Sequence, residues 1–314
     1  MTKSIQGTWF EFQHHSKKEG IYWNNESKNF TEEKWREKVK EIAGTGMEYI
    51  VLLATALDFN CYYDTSIFPK ADLTCKNPLE VLLSQAEESN LKVFISAGFY
   101  GDWMHPQINM VDKEVTKRGL QAMNEIAEQY GKYKSLHGWY FPDETCINGY
   151  FSEDFIRYVN TYSNEAHQLN PNYKTLIAPY GTRLVKADDK YIDQLERIDI
   201  DYVAYQDEIG VQKTKVEESA AFYEALKKVH DKAGRGALWA DIELFEFEGD
   251  VYSSALLPAE FSRIKKQIEA VSPYVDKILA YQYQGMMNKP DSKAFAGHPS
   301  SAKLYTDYMN WLNK

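Results

Sequence analysis

Eight short apolar segments alternate with longer amphipathic segments along this chain, and this alternation limits its fold more than any other feature. The apolar segments lie at residues 5–12, 47–57, 91–99, 136–144, 173–181, 200–210, 236–247 and 277–288. They are apolar on both faces, as in parallel strands covered by helices on one side and by a packed interior on the other. The intervening segments carry helix start signals, such as Thr31 and Ser152 at N-cap positions.

Eight strand–helix units in 314 residues predict the α/β fold class, as a single-domain (β/α)₈ TIM barrel over residues 1–314. An open doubly wound sheet is the main alternative. Such a sheet usually has a glycine-rich loop after its first strand, but this chain has FQHHSKKEG there and contains neither GxGxxG nor GxxxxGK[ST]. We therefore expect a barrel that needs no cofactor, with its functional residues on the loops after the strands.

Charge and hydropathy argue against two classes of partner. The chain has a formal net charge of −10 and no long basic run, so we expect no nucleic-acid partner. No segment approaches the roughly 20 apolar residues of a membrane span. The first residues do not form a signal segment, which leaves two localisations open: cytoplasmic, or secreted or periplasmic with the signal removed. The oligomeric state is not predicted.

Carboxylates, carboxamides and aromatic rings are concentrated near the predicted C-terminal ends of the strands. The set comprises Glu11, His14, Trp103, Trp139, Asp143, Gln206, Asp207, Glu208, Trp239, Tyr281 and Gln284. Aromatic rings stack on the apolar face of a sugar, while acids and amides hydrogen-bond to its hydroxyl groups. We therefore predict a carbohydrate-binding site, with Trp103, Trp139 and Trp239 as its stacking residues.

Two glutamates at strand ends are the predicted catalytic pair of a glycoside hydrolase, which needs a proton donor and a nucleophile or base. Glu144 follows an aromatic run and Asp143 in LHGWYFPDE. Low polarity and a neighbouring charge both raise a carboxyl pKa, so we assign Glu144 as the general acid/base. Glu243, in LWADIELFE, is the predicted nucleophile. We expect a hydrogen bond from Tyr283 or Tyr205 to keep it ionised.

Other assignments of the acids remain open at this stage. Glu144 could instead be a solvated loop acid. Asp207 or Glu208 could be the base of an inverting enzyme, and Asp241 shares the strand face of Glu243. Since adjacent strand residues point to opposite faces, only one member of each neighbouring acid pair should reach the site.

The histidines and cysteines give little support to other chemistries. Strand alternation would turn His14 and His15 to opposite sides and no HExxH motif occurs, so no metal site is predicted. Cys61 and Cys75 could form a disulfide or remain separate thiols. The alternatives to a glycosidase are a non-catalytic carbohydrate-binding barrel and a metal-dependent hydrolase or lyase.

Five motifs, GTWFEF, FYGDW, GWYFPDE, AYQDEIGV and LWADIELFE, resemble the bacterial domain of unknown function 4434 family over nearly the whole chain. This resemblance implies a glycoside-hydrolase-like barrel. The chain also resembles, more distantly, the retaining (β/α)₈ glycosidases, which implies acid/base and nucleophile roles for Glu144 and Glu243. Those enzymes usually have asparagine before the strand 4 glutamate, where it holds the sugar 2-hydroxyl, but this chain has Asp143.

Overall fold

Eight parallel strands form a closed barrel in the computed structural model, which describes residues 2–313. The strands are β1 (Gly7–Phe10), β2 (Tyr49–Leu52), β3 (Lys92–Ser96), β4 (Leu136–Tyr140), β5 (Lys174–Ile177), β6 (Tyr202–Gln206), β7 (Ala237–Glu243) and β8 (Lys277–Tyr281). The barrel closes where Gly7 of β1 pairs with Leu279 of β8. The predicted (β/α)₈ fold is therefore confirmed.

Within residues 2–313, ten α-helices cover the outside of the barrel and its rims. They are α1 (Asn24–Lys28), α2 (Glu32–Gly44), α3 (Pro78–Glu88), α4 (Pro106–Asn109), α5 (Lys113–Tyr130), α6 (Glu153–Leu169), α7 (Asp189–Arg197), α8 (Val216–Ala233), α9 (Phe261–Val271) and α10 (Ser300–Leu312). The predicted N-caps of α2 and α6 are present, since Thr31 and Ser152 each accept a hydrogen bond from a backbone N–H three residues later. None of the helices within residues 2–313 combines the length and apolarity needed to span a membrane.

Aromatic rings fill the barrel interior toward the N-terminal ends of the strands. Trp239 stacks on Tyr202 with ring centroids 4.3 Å apart, and it also contacts Tyr49 at 5.1 Å and Phe94 at 6.3 Å. Tyr49, Tyr202 and Trp239 lie in the first half of their strands and Phe94 lies at the middle of its strand, so these rings close the N-terminal end of the barrel. Polar side chains can therefore enter the interior only above them, toward the C-terminal ends of the strands.

Short elements beyond the strands build up the opposite, C-terminal rim. Phe245–Phe247 pairs with Leu256–Pro258 in a hairpin after β7, and Ala56–Leu57 pairs with Asn60–Cys61 after β2.

Cys61 and Cys75 are both buried free thiols, so the disulfide alternative does not hold in this structure.

Candidate active site

A cavity of about 660 Å³ opens at the C-terminal ends of the barrel strands, within the usual size range of small-molecule sites. Its wall includes six predicted site residues, Trp103, Glu144, Gln206, Glu208, Glu243 and Tyr281. The wall also includes Asp241, the alternative acid of the same strand face, and residues that were not predicted to belong to the site, among them His15, Ser16, Glu19, Tyr180, Lys213, Phe247 and Tyr252. The barrel thus brings acids from β4, β6 and β7 to one enclosed space.

Glu144 lies four residues beyond the end of β4 and is held by two hydrogen bonds. The Tyr140 hydroxyl donates to its Oε1 at 2.6 Å, and the Gln206 amide donates to its Oε2 at 2.7 Å. Burial raises the pKa of Glu144 to about 7, with a smaller contribution from Asp143, although the two hydrogen bonds oppose this change. A substantial fraction of Glu144 therefore carries a proton near neutral pH, as a general acid requires.

Glu243 is the last residue of β7, and its environment differs from the expected one. Its Oε2 accepts one hydrogen bond, from the Val211 backbone N–H at 2.9 Å. The expected donors, Tyr283 and Tyr205, turn toward the helices instead, where Tyr283 meets Glu41 and Tyr205 meets Tyr191 and His230. That expectation was wrong. Burial and the charge of Asp207 raise the pKa of Glu243 and favour its protonated form.

Asp207 supports Glu243 from behind the cavity wall. Its Oδ1 accepts from the Glu243 backbone N–H at 3.2 Å, and its Oδ2 accepts from the Gln267 amide at 2.6 Å. Arg263 on α9 donates to the carbonyl groups of Glu243 and Phe245 at 2.8 and 2.7 Å. Asp207 is 1% exposed, so its predicted contact with substrate is replaced by a structural role at the end of β7.

Asp241 lies two residues before Glu243 on the same face of β7 and pairs in register with Gln206. It lines the cavity and is 3% exposed, and its Oδ1 has no hydrogen-bond partner within residues 2–313. Burial raises the pKa of Asp241 well above its usual range, with further contributions from Asp207, Glu243 and Glu144. Burial and the neighbouring acids therefore all favour the protonated form of Asp241.

The substitution Asp241→Asn is expected to stabilise the protein increasingly as the pH rises. The folded-state pKa of Asp241 is raised, so its favourable contribution is complete below the unfolded pKa of about 3.9 and is lost as the pH rises toward the folded pKa. Asparagine has nearly the same shape as aspartic acid but does not ionise, so the variant does not lose stability in this way as the pH rises. In thermal denaturation, the Tm advantage of the variant should grow between pH 5 and pH 8, by at least about 2 °C.

The exposed Asp250 provides a matched control for this measurement. Asp250→Asn removes the same charge at the surface and should leave the difference in Tm from wild type independent of pH. If Asp241→Asn gave a constant difference across the same range, Asp241 would not be the protonated group inferred here.

Glu208 reaches the cavity from the loop after β6 through an uncommon backbone conformation, with φ at 53°. Its Oε2 accepts from the Gly181 N–H at 2.9 Å. Lys213 Nζ lies 3.9 Å from Glu208 Oε1 and over the rings of Tyr180 and Tyr252. Lys213 thus places one cation on a wall that is otherwise rich in acids.

Glu11 and His14 lie behind the cavity wall rather than in it. Glu11 accepts hydrogen bonds from Trp23 at 3.0 Å, Gln282 at 2.8 Å and His14 at 2.9 Å. Burial lowers the pKa of His14, but Glu11 and Glu19 outweigh this effect and raise it to about 9. The predicted direct contacts of Glu11 and His14 with substrate are therefore corrected, because both side chains are buried and already paired.

The expected separation of His14 and His15 to opposite sides was also wrong. Strand β1 ends at Phe10, so strand alternation does not continue to these residues. Their rings lie side by side, 4.3 Å between centroids, and His15 also contacts the cavity residue Trp103 at 4.5 Å.

The remaining predicted site residues lie away from the cavity. Trp139 is fully buried on the helix side of β4, opposite to Tyr140, with its ring edge toward Tyr173. Trp239 belongs to the aromatic layer at the closed end of the barrel. Stacking roles for both tryptophans are therefore corrected, because an aromatic residue at a strand does not reveal its depth or its face.

Asp143 and Gln284 are likewise engaged within the protein. The buried Asp143 carboxylate accepts from Asn109 at 2.9 Å, so Glu144 is the member of this acid pair that reaches the cavity. The Gln284 amide forms two hydrogen bonds with the backbone of Glu11, at 2.7 and 2.6 Å. Both predicted substrate contacts are replaced by links that fix the rim.

The fold and site together define a (β/α)₈ barrel with an acid-lined cavity at its C-terminal rim. Residues 5–294 match the model of a domain of unknown function, DUF4434. The chain belongs to the DUF4434 family. No curated protein sequence matches it.

Several solved barrel structures are similar to this chain. A protein from Bacteroides thetaiotaomicron VPI-5482, provisionally described as an alpha-L-fucosidase, superposes with a TM-score of 0.77 at 19% identity, covering 99% of this chain and 96% of that one. The endo-beta-1,4-mannanase from Thermotoga petrophila gives 0.61 at 11% identity, covering 99% and 78%. A GH5_18 protein from Streptomyces cattleya in complex with GlcNAc gives 0.60 at 12% identity, covering 100% and 82%. At these identities the likeness concerns the fold.

Proposed function

We propose that this protein is a glycoside hydrolase that acts by double displacement, with Glu144 as acid/base and Glu243 as nucleophile. The observation that carries the proposal is that these carboxyl groups enter one cavity from the ends of β4 and β7. Burial, which raises the pKa of Glu144 to about 7, supports its role as the proton donor. The structural neighbours include an endo-beta-1,4-mannanase and a protein provisionally described as an alpha-L-fucosidase, which agrees with a carbohydrate substrate.

The first step needs Glu144 protonated and Glu243 ionised. Glu144 donates its proton to the glycosidic oxygen as the bond to the anomeric carbon breaks, and Glu243 forms a bond to that carbon. In the second step Glu144 removes a proton from water, which attacks the same carbon and releases Glu243. The positive charge that develops on the sugar stabilises ionised Glu243, and this offsets the unfavourable effect of burial and of Asp207 on that form.

The cavity wall offers both kinds of contact that a sugar needs. Trp103, Phe247 and Tyr252 present aromatic surface, while Gln206 and Glu208 present hydrogen-bonding groups. Gln206 also binds Glu144, so a sugar hydroxyl near this amide would be positioned directly beside the proton donor. We assign an oligosaccharide or polysaccharide as the substrate class.

Screening with chromogenic glycosides and polysaccharides tests the function. The panel should include α-L-fucosides, β-mannosides and N-acetylglucosaminides, each with wild type and with the double variant Glu144→Gln/Glu243→Gln. Cleavage by wild type alone is the expected result. Equal cleavage by both proteins would overturn the site assignment, and saturable binding of a sugar without turnover would favour a carbohydrate-binding barrel.

A further inference from the structure

We propose that Glu11, His14 and His15 form a binding site for a divalent transition-metal ion beside the sugar cavity. We refer to these three residues as the histidine cluster. Each residue offers one ligand atom, and the three atoms lie within 4.8 Å of one another. Two imidazoles and one carboxylate with open positions are a known donor set for such ions.

The spacing within the histidine cluster is close to that of bound ligands. Bonds of about 2.0–2.2 Å place neighbouring ligand atoms about 3.0–3.4 Å apart. His14 Nδ1 lies 2.9 and 3.0 Å from the two carboxylate oxygens of Glu11. An ion could therefore replace the proton between His14 and Glu11, with the ligand atom of His15 within 4.8 Å of both.

The groups around the histidine cluster resemble the supporting shell of metal ligands. Glu19 Oε2 lies 3.3 Å from the second ring nitrogen of His14, where a carboxylate would orient the imidazole. Trp23 and Gln282 donate hydrogen bonds to Glu11 at 3.0 and 2.8 Å and fix that carboxylate. Side chains that only packed in the core would not need hydrogen bonds that fix the orientation of His14 and Glu11 in this way.

Two buried polar atoms at the cluster are unsatisfied. His15 Nδ1 and Gln282 Oε1 have no hydrogen-bond partner within residues 2–313. Gln282 is 1% exposed. Its amide nitrogen donates a hydrogen bond to Glu11, so its unpaired amide oxygen belongs to a side chain that is in contact with the cluster. Unpaired buried polar atoms are costly, and coordination of an ion would satisfy His15.

The donor set selects the class of ion. Imidazole nitrogen suits Zn²⁺ and neighbouring transition metals, whereas Ca²⁺ and Mg²⁺ prefer sites made of oxygen atoms. We therefore expect the histidine cluster to bind Zn²⁺ and not Ca²⁺.

The position of the cluster suggests what the ion would contact. His15 and Glu19 line the cavity, and the hydroxyl of Tyr281, another wall residue, lies 3.4 Å from His14 Nδ1. An open coordination position facing the cavity would bind hydroxyl oxygens of a sugar. This last role rests on the proposed function, but the binding of the ion does not.

Metal binding can be measured without any substrate. Protein dialysed against a chelator is titrated with Zn²⁺ by calorimetry, and Co²⁺ is added separately to record visible d–d absorption. Wild type should bind one Zn²⁺ per chain, and His15→Ala should weaken binding at least about tenfold and change the Co²⁺ spectrum. The control His167→Ala removes a surface histidine paired with Asp199 and should bind as wild type does.

Two further variants keep the result interpretable. Should His15→Ala fail to fold, the isosteric Glu11→Gln is expected to show the same loss of Zn²⁺. Glu144→Gln should retain full Zn²⁺ affinity, which separates this proposal from the catalytic one. The proposal is overturned if wild type binds no Zn²⁺, or if neither cluster variant binds it more weakly than His167→Ala does.

Discussion

Replacing Glu144 with glutamine is expected to slow hydrolysis of a cleaved glycoside by about 10²–10⁴-fold, the usual contribution of a positioned acid/base. Glutamine keeps the acceptor atom for the Tyr140 hydroxyl but has no acidic proton to give to the leaving oxygen. The loss should be greatest for substrates with poorly acidic leaving groups, because these need the proton most. The measurement compares kcat/KM for two aryl glycosides that differ only in the acidity of the phenol.

The pH profile gives an independent reading of the same residue. Glu144 must be protonated and Glu243 ionised, and burial raises the pKa of both, so wild-type kcat/KM should pass through a maximum slightly above pH 7 and fall at higher pH as Glu144 loses its proton. This alkaline limb should disappear in Glu144→Gln. Glu246→Gln, at an exposed glutamate of the hairpin after β7, is the matched control and should keep both the rate and the limb. A Glu144→Gln variant with the wild-type profile would contradict the assignment.

The barrel itself could be predicted because its signals are local in sequence. Apolar segments of strand length, separated by amphipathic segments with Thr31 and Ser152 at their starts, repeat often enough to specify the topology. Once the topology is known, residues directly after β4 and at the end of β7 must lie on one rim. For this reason Glu144 and Glu243 could be placed at the cavity without any structure.

The depth of a side chain within the barrel, and the face of the strand from which it projects, could not be predicted in the same way. Trp239 and Glu243 share a face of β7, but only the structure shows that Trp239 belongs to the closed end of the barrel. Tyr205 and Tyr283 lie at or just beyond the ends of β6 and β8 in the sequence, yet they turn outward to the helices. His14 lies beyond the end of β1, where the strand period no longer applies.

Cavity residues on irregular segments are the part of the site that could least be predicted from the sequence. Lys213 and Tyr252 reach the cavity from irregular segments after β6 and β7, which carry no periodic signal. Asp241 was visible as a neighbour of Glu243, but its raised pKa depends on burial and on charges from several strands. Burying several acids together disfavours their ionised forms, so the cavity holds protons that a single exposed glutamate would release.

Replacing Glu243 with glutamine should reduce kcat/KM by roughly 10³-fold or more, a loss of ~4 kcal/mol of transition-state stabilisation, since the attacking group is gone. The neighbouring acids Asp207 and Glu208 cannot replace it without moving, because Asp207 is held by Gln267 and Glu208 by Gly181. Circular dichroism establishes that the variant is folded, and the rate is then compared with that of Glu246→Gln.

A small external anion can then show whether Glu243 is the nucleophile. Glu243→Ala leaves space beside the anomeric carbon, and added azide should form a bond to that carbon while Glu144 protonates the leaving group. The product is a glycosyl azide whose anomeric configuration is opposite to that of the substrate, and the rate should rise with azide concentration. Nuclear magnetic resonance identifies this product. If azide has no effect and wild type releases sugar with inverted configuration, the water-activating base is Glu208 or Asp241, and the double-displacement mechanism is wrong.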